Sequence, residues 1–109
     1  MQVIADLEPG NYSRSLQGAD HGDVGVCLIV VEAPPGRGPA LHRHPYEEVF
    51  VIHEGEGTFT AGDEEMHAAA GAVVIVPAAT PHRFVNTGAS TLRMTTIHTA
   101  SRFETEWIV

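Results

Sequence analysis

The sequence predicts an all-β fold, a sandwich or barrel of short strands, on two observations. Turn residues recur at short intervals, at Pro34-Pro35-Gly36, Gly38-Pro39, Gly55-Glu56-Gly57, Ala61-Gly62-Asp63, Gly71, Pro77 to Pro81 and Asn86-Thr87-Gly88. The runs between them are brief and β-rich, and none supplies the crossover helix that a βαβ unit needs. Turn chemistry and short extended runs together leave antiparallel sheet as the architecture.

Taken in order, residues 1–23 are irregular and read as an N-terminal arm or edge strand. The first strand covers 24–33 and holds the longest apolar run, Val26 to Val31. Strands at 48–53, 57–60, 65–70, 72–76, 82–85 and 91–99 follow, each bounded by Gly, Pro, Asn or Asp. Only Ser101 to Ile108 has the composition for a short C-terminal helical turn. At 109 residues the chain suits one domain, residues 1–109, and folding at this size buries roughly two-thirds of the unfolded surface.

Charge narrows the function classes. Six Lys plus Arg, all of them Arg and scattered singly, stand against 14 Asp plus Glu, a net charge of -8. Nucleic-acid backbones and anionic membrane surfaces call for clustered cations, so neither is an expected partner. A transcriptional regulator is disfavoured too, since no helix-turn-helix or basic segment is visible. Cys27 is the single cysteine and lies among apolar residues, which predicts a buried, inert thiol in a reducing compartment. The first ten residues, MQVIADLEPG, show neither the positive nor the apolar region of a secretory signal, so a cytoplasmic location is expected. Histidine is the outlier, with seven residues.

The informative stretch is Leu41-His42-Arg43-His44-Pro45-Tyr46-Glu47-Glu48-Val49-Phe50-Val51-Ile52. Pro45 forbids a helix interior, and the β-branched run after Glu48 favours extended backbone. On extended chain, His42, His44, Tyr46, Glu48, Phe50 and Ile52 share one face. Two imidazoles and a carboxylate thereby converge, with Pro45 marking a bulge or an interrupted ladder. His53 has the opposite parity from Glu48, and His21 and His67 read as surface residues. Arg43 and Arg83 point away from the same face, where an ion pair with one of the many Glu is the default. Glu54, Glu56, Asp63, Glu64 and Glu65 read as a solvated rim.

A His-x-His pair alone is weak, since about 0.4 such pairs are expected by chance at this histidine content. The spacing around it is longer: Gly36, five residues, His42-x-His44, three residues, Glu48, six residues, Gly55. A second block runs Gly71, five residues, Pro77, then Pro81-His82, three residues, Asn86. Together, the blocks at 36–55 and 71–86 resemble the paired motifs of the cupin superfamily in its small, single-domain form. One position departs: Ala79 stands where the second motif has Gly, which bears on the turn before His82. The closing Ser101-Arg102-Phe103 to Trp107-Ile108 also looks like the tails of some bacterial single-domain cupins.

The resemblance implies a double-stranded β-helix, or jelly roll, with one divalent transition metal inside: Fe, Mn, Ni, Co, Cu or Zn. It implies His42, His44, Glu48 and His82 as ligands, with Glu48 either a ligand or a general base. Tyr46, Phe50, Phe84 and His98 are candidates for the pocket wall or the layer behind the ligands. The default for His98 is a hydrogen-bonded structural or surface histidine, and Phe50 and Phe84 are core residues first. Pro77 and Asn86 are assigned to bracing the second motif. The expected activity is metal-dependent chemistry on a small organic molecule, dioxygenase-like in the first instance. A non-catalytic ligand- or metal-binding module, or a cupin isomerase, decarboxylase or lyase, is the alternative. Exposed sheet edges and the family's habit imply a homodimer.

Overall fold

The computed structural model describes residues 1–108. Eleven strands form two antiparallel sheets. In chain order they are β1 (Glu8–Pro9), β2 (Ser13–Gln17), β3 (Cys27–Ala33), β4 (His42–Arg43), β5 (Glu48–Glu54), β6 (Glu56–Ala61), β7 (Glu64–Ala69), β8 (Val73–Val76), β9 (His82–Val85), β10 (Leu92–His98) and β11 (Glu106–Trp107). One sheet has the order β1-β2-β3-β10-β5-β8 and the other β11-β4-β9-β6-β7. The seven strands expected between residues 24 and 99 all form, within about three residues at each end.

Period-two burial places the site. Along β5 the inward residues are Glu48, Phe50 and Ile52, and along β10 they are Leu92, Met94, Thr96 and His98. The two strands are paired, with His98 opposite Glu48 and Thr96 opposite Phe50. The apolar ends of these strands, with Val31, Ala33, Phe59 and Phe84, make the core, and the polar ends make the site. Leu92 and Met94 are fully buried, where truncation to Ala costs about 2–5 kcal/mol. Cys27 is buried as expected.

His42 to Ile52 is not one strand. β4 belongs to one sheet and β5 to the other, and the chain crosses between them at His44 to Glu47. Pro45, exposed and unable to donate to a ladder, sits in that crossing. The inward parity of His42, His44, Tyr46 and Glu48 survives it, and all four are buried.

Of the two termini, the N-terminal one takes the edge-strand form of the sequence reading and the C-terminal one departs from it. Residues 13–17 pair along β3 from Ser13 opposite Val31 to Gln17 opposite Cys27, so the arm is an ordered part of the sheet edge. The C-terminal helical turn does not form. Glu106 and Trp107 instead pair with Arg43 and His42, and the Ile108 N–H donates to the Leu41 carbonyl at 3.0 Å. The reason is local: the edge of β4 needs a partner, and the Arg43 guanidinium binds the Glu106 carboxylate through Nε at 2.8 Å and Nη2 at 3.0 Å. The helical turn among the described residues is a 3₁₀ turn at Gly18–Asp20. No helix there is long and apolar enough to cross a membrane.

Ala79 adopts a φ of +62°, the left-handed conformation that glycine takes freely and alanine pays about 1–2 kcal/mol to adopt. The turn is retained because its N–H donates to the His44 carbonyl at 2.7 Å. Ala79→Gly relieves the strain but loosens the unfolded chain by about 0.4–1 kcal/mol. The expected net gain is about 0.5–1 kcal/mol, a rise of a few degrees in Tm by thermal denaturation; an unchanged or lower Tm would show that the turn is not strained.

Candidate metal centre

His42 on β4, His44 in the crossing, Glu48 at the start of β5 and His82 at the start of β9 meet between the sheets. One ligand atom from each lies within 4.8 Å of all the others, and all four residues are buried. His82 sits opposite His42 in the β4–β9 pairing, which brings the second block onto the first.

The tautomers follow from the backbone. Nδ1 of His42 is 2.7 Å from the Ala40 carbonyl, that of His44 is 2.7 Å from the Glu104 carbonyl, and that of His82 is 2.8 Å from the Thr80 carbonyl. A carbonyl only accepts, so each Nδ1 carries the hydrogen and each neutral ring turns a bare Nε2 lone pair inward. Yet Nε2 of His82 lies 3.0 Å, and that of His44 3.2 Å, from Glu48 Oε1. Lone pairs facing a carboxylate at that range require a proton or a cation between them. His44 Nε2 is also buried without a well-aligned protein partner. Two donors bonded to one metal at about 2.1 Å each would lie roughly 3.0–3.4 Å apart, a range that includes these contacts. The residues present therefore fit a metal ion: three imidazole nitrogens, one carboxylate oxygen, and second nitrogens fixed by carbonyls.

Electrostatics agree with a cation site. Burial alone would push the Glu48 carboxyl up, but its contacts with His44, His82 and His98, once a proton or a cation lies between imidazole and carboxylate, outweigh burial and hold the group well below the usual carboxylate range. Burial also pulls on His44, where the contacts with Glu48 and the Glu104 carbonyl override it and the net shift is upward. His42, with less help from Glu48, is shifted down by burial.

A second layer stands behind Glu48. His98, fully buried, places Nε2 3.1 Å from Glu48 Oε2, off the direct N–H line, and Nδ1 2.7 Å from the Tyr46 hydroxyl. Burial pushes the Tyr46 hydroxyl up to about 12, so it keeps its proton at neutral pH. It accepts from the Glu104 N–H at 3.4 Å and donates to His98, which leaves the His98 proton on Nε2, towards Glu48. Tyr46 also stacks flat on His44, with centroids 5.0 Å apart. His98 is thus neither a surface residue nor one of the four clustered ligand positions. Its Nε2 lies beside the outer carboxylate oxygen, 3.1 Å away.

A cavity of about 320 Å³ adjoins the cluster. Phe50 and Phe84 line it while also belonging to the core, whereas Tyr46 and His98 do not reach it. Sequence reasoning missed Tyr12, Thr96, Phe103 and Trp107 in its wall. The parity of Thr96 with His98 was the signal for one of them; the other three lie in the arm and tail, whose docking no local pattern reveals. His53 and His67 are exposed and His21 half-buried, away from the cluster. Arg83 enters no ion pair among the described residues, unlike Arg43.

The cupin domain profile matches residues 29–98, which is well over half of the chain. This chain belongs to the cupin family. An uncharacterized protein of Methanocaldococcus jannaschii, MJ1618, is 36% identical over 67 residues, 59% of this cupin and 54% of that protein. The HTH-type transcriptional regulator PuuR of Escherichia coli is 33% identical over 100 residues, 89% of this cupin and 54% of the regulator. The cupin thus spans about half the length of the curated relatives it matches. Among solved structures, an oxalate decarboxylase mutant from Bacillus subtilis superposes with a TM-score of 0.81 at 18% identity, covering 95% of this cupin and 30% of that chain, a likeness of fold.

Removing this second layer should loosen the site. His98→Asn is expected to lower metal affinity by roughly 10–100-fold, and Tyr46→Phe by less, in competition with a chromogenic chelator. Unchanged affinity in both would show that Glu48 is held without them.

Proposed function

We propose that this cupin is a metal-dependent enzyme acting on a small organic molecule at His42, His44, Glu48 and His82, with dioxygenase-like chemistry as the leading reaction class. The observation that carries the reading is the set of three carbonyl-clamped imidazoles aimed at one carboxylate beside a ligand-sized cavity. His42, His44, Glu48 and His82 would hold the ion, and one that takes more than four donors would keep room for substrate. When bound, the metal supplies Lewis-acid or redox activation of the substrate held there.

The chain's own residues do the rest. His42, His44 and His82 present fixed lone pairs, so no reorganisation is needed when charge develops. Glu48 contributes one oxygen inward, while the other lies 3.1 Å from His98 Nε2. With its carboxyl so far below the ordinary range, Glu48 suits a ligand better than a general base. The cavity beside the site offers a largely apolar wall against which an organic body can pack.

A second reading, a non-catalytic module in which metal or ligand is sensed or stored, is supported by the likeness to a transcriptional regulator over 89% of this chain. Turnover separates the two. Protein loaded anaerobically with Fe(II), Mn(II) or Ni(II) is expected to show substrate-dependent oxygen uptake on a flavonol, β-diketone and catechol panel. Absence of oxygen uptake with every metal and every substrate on that panel would favour the binding module.

A further inference from the structure

The metal reading leaves the ligand's character open, and the cavity narrows it. Five of the chain's seven Phe, Tyr and Trp side chains line it: Tyr12, Phe50, Phe84, Phe103 and Trp107. They come from the N-terminal arm, β5, β9 and the C-terminal tail, so four separate segments contribute aromatic rings to one space. At about 320 Å³ the cavity is at the small end of ligand pockets.

Charge sets the other constraint. The chain has no Lys, and none of its six Arg lines the cavity among the described residues. Arg43 is engaged by Glu106. Arg37 is exposed and stacks on Tyr12, with its guanidinium carbon 5.5 Å from the ring centre, but does not enter the wall. Three neutral imidazoles, one carboxylate and a dication sum to a single positive charge. That charge is enough to neutralise a monoanion. A dianion would enter an apolar space half-neutralised, which is heavily penalised. Aromatic walls alone would also suit an organic cation, but the loaded site repels one.

Thr96 adds a polar detail. It lines the same wall, is 2% exposed, and its hydroxyl is buried without a protein partner. An unpaired buried hydroxyl costs stability, and a χ1 rotation that brings Thr96 Oγ1 to the cavity surface would pair it with a ligand carrying oxygen and not with a pure hydrocarbon.

We propose that the cavity takes a monoanionic, oxygen-chelating ligand with an aromatic body, held by its head at the His42, His44, Glu48 and His82 site and by its ring among Phe50, Phe84 and Trp107. The proposal rests on the metal reading above and deepens it. Small dicarboxylates are excluded as preferred ligands.

The test uses the Zn(II)-loaded full chain, which is redox-silent, titrated by calorimetry with benzoylacetone, acetylacetone and oxalate, with metal retention followed in parallel. Benzoylacetone is expected to bind at least tenfold tighter than acetylacetone, because only it carries a ring to bury, and tighter than oxalate. Chelator-stripped protein is expected to lose benzoylacetone binding. Equal affinity for the two diketones, oxalate binding as tight as benzoylacetone, or full binding to stripped protein would each overturn the proposal while leaving metal binding intact. A failure to take up Zn(II) is read separately in the metal titration, and would overturn the metal reading together with this one.

Discussion

Three imidazoles with their outer nitrogens tied to carbonyls, and their inner nitrogens facing one buried carboxylate, are the constraint around which this molecule is arranged. The carbonyls come from Ala40 before β4, Thr80 before β9 and Glu104 in the tail. Each loop is shaped to present one oxygen. The strained Ala79 turn belongs to the same scheme: its N–H holds the His44 carbonyl, and the next residue's carbonyl orients His82. Strain at such a position is retained only where the surroundings over-determine it. The tail is recruited similarly, since Glu104 orients His44 and Trp107 packs on His42 with centroids 5.1 Å apart.

Much of this was legible from residue types and spacing. Period-two alternation predicted that His42, His44, Tyr46 and Glu48 face inward, and it holds even though the chain changes sheets at Pro45. The reason is that parity depends on extended backbone, not on hydrogen bonding to one particular sheet. What failed to show was long-range docking. Residues 101–108 and the first strands carry no periodic signal of their own, and their conformation is set by the edges they cover. A helical turn at 101–108 was reasonable locally, but the open edge of β4 and the Arg43–Glu106 pair prevail. His98 was undervalued for a related cause. Its parity was readable, but that β10 lies beside β5, setting His98 against Glu48, is a fact of topology.

Fold likeness and site chemistry point in different directions. The superposition on an oxalate decarboxylase covers nearly the whole chain, yet at 18% identity it carries architecture alone. The walls here are aromatic and free of cationic side chains, which bears on the charge a ligand can bring more directly than the shared barrel does. The same fold can position four ligands and leave the reaction to the residues around them.

The central claim is that this cluster is built for a cation and is incomplete without one. Elemental analysis of the chain purified from its native host tests it most directly, with His82→Ala prepared in parallel. The account predicts close to one divalent transition metal per chain, with the content of the His82→Ala protein collapsing. Substoichiometric metal in the natural protein, or equal metal in both, would contradict it.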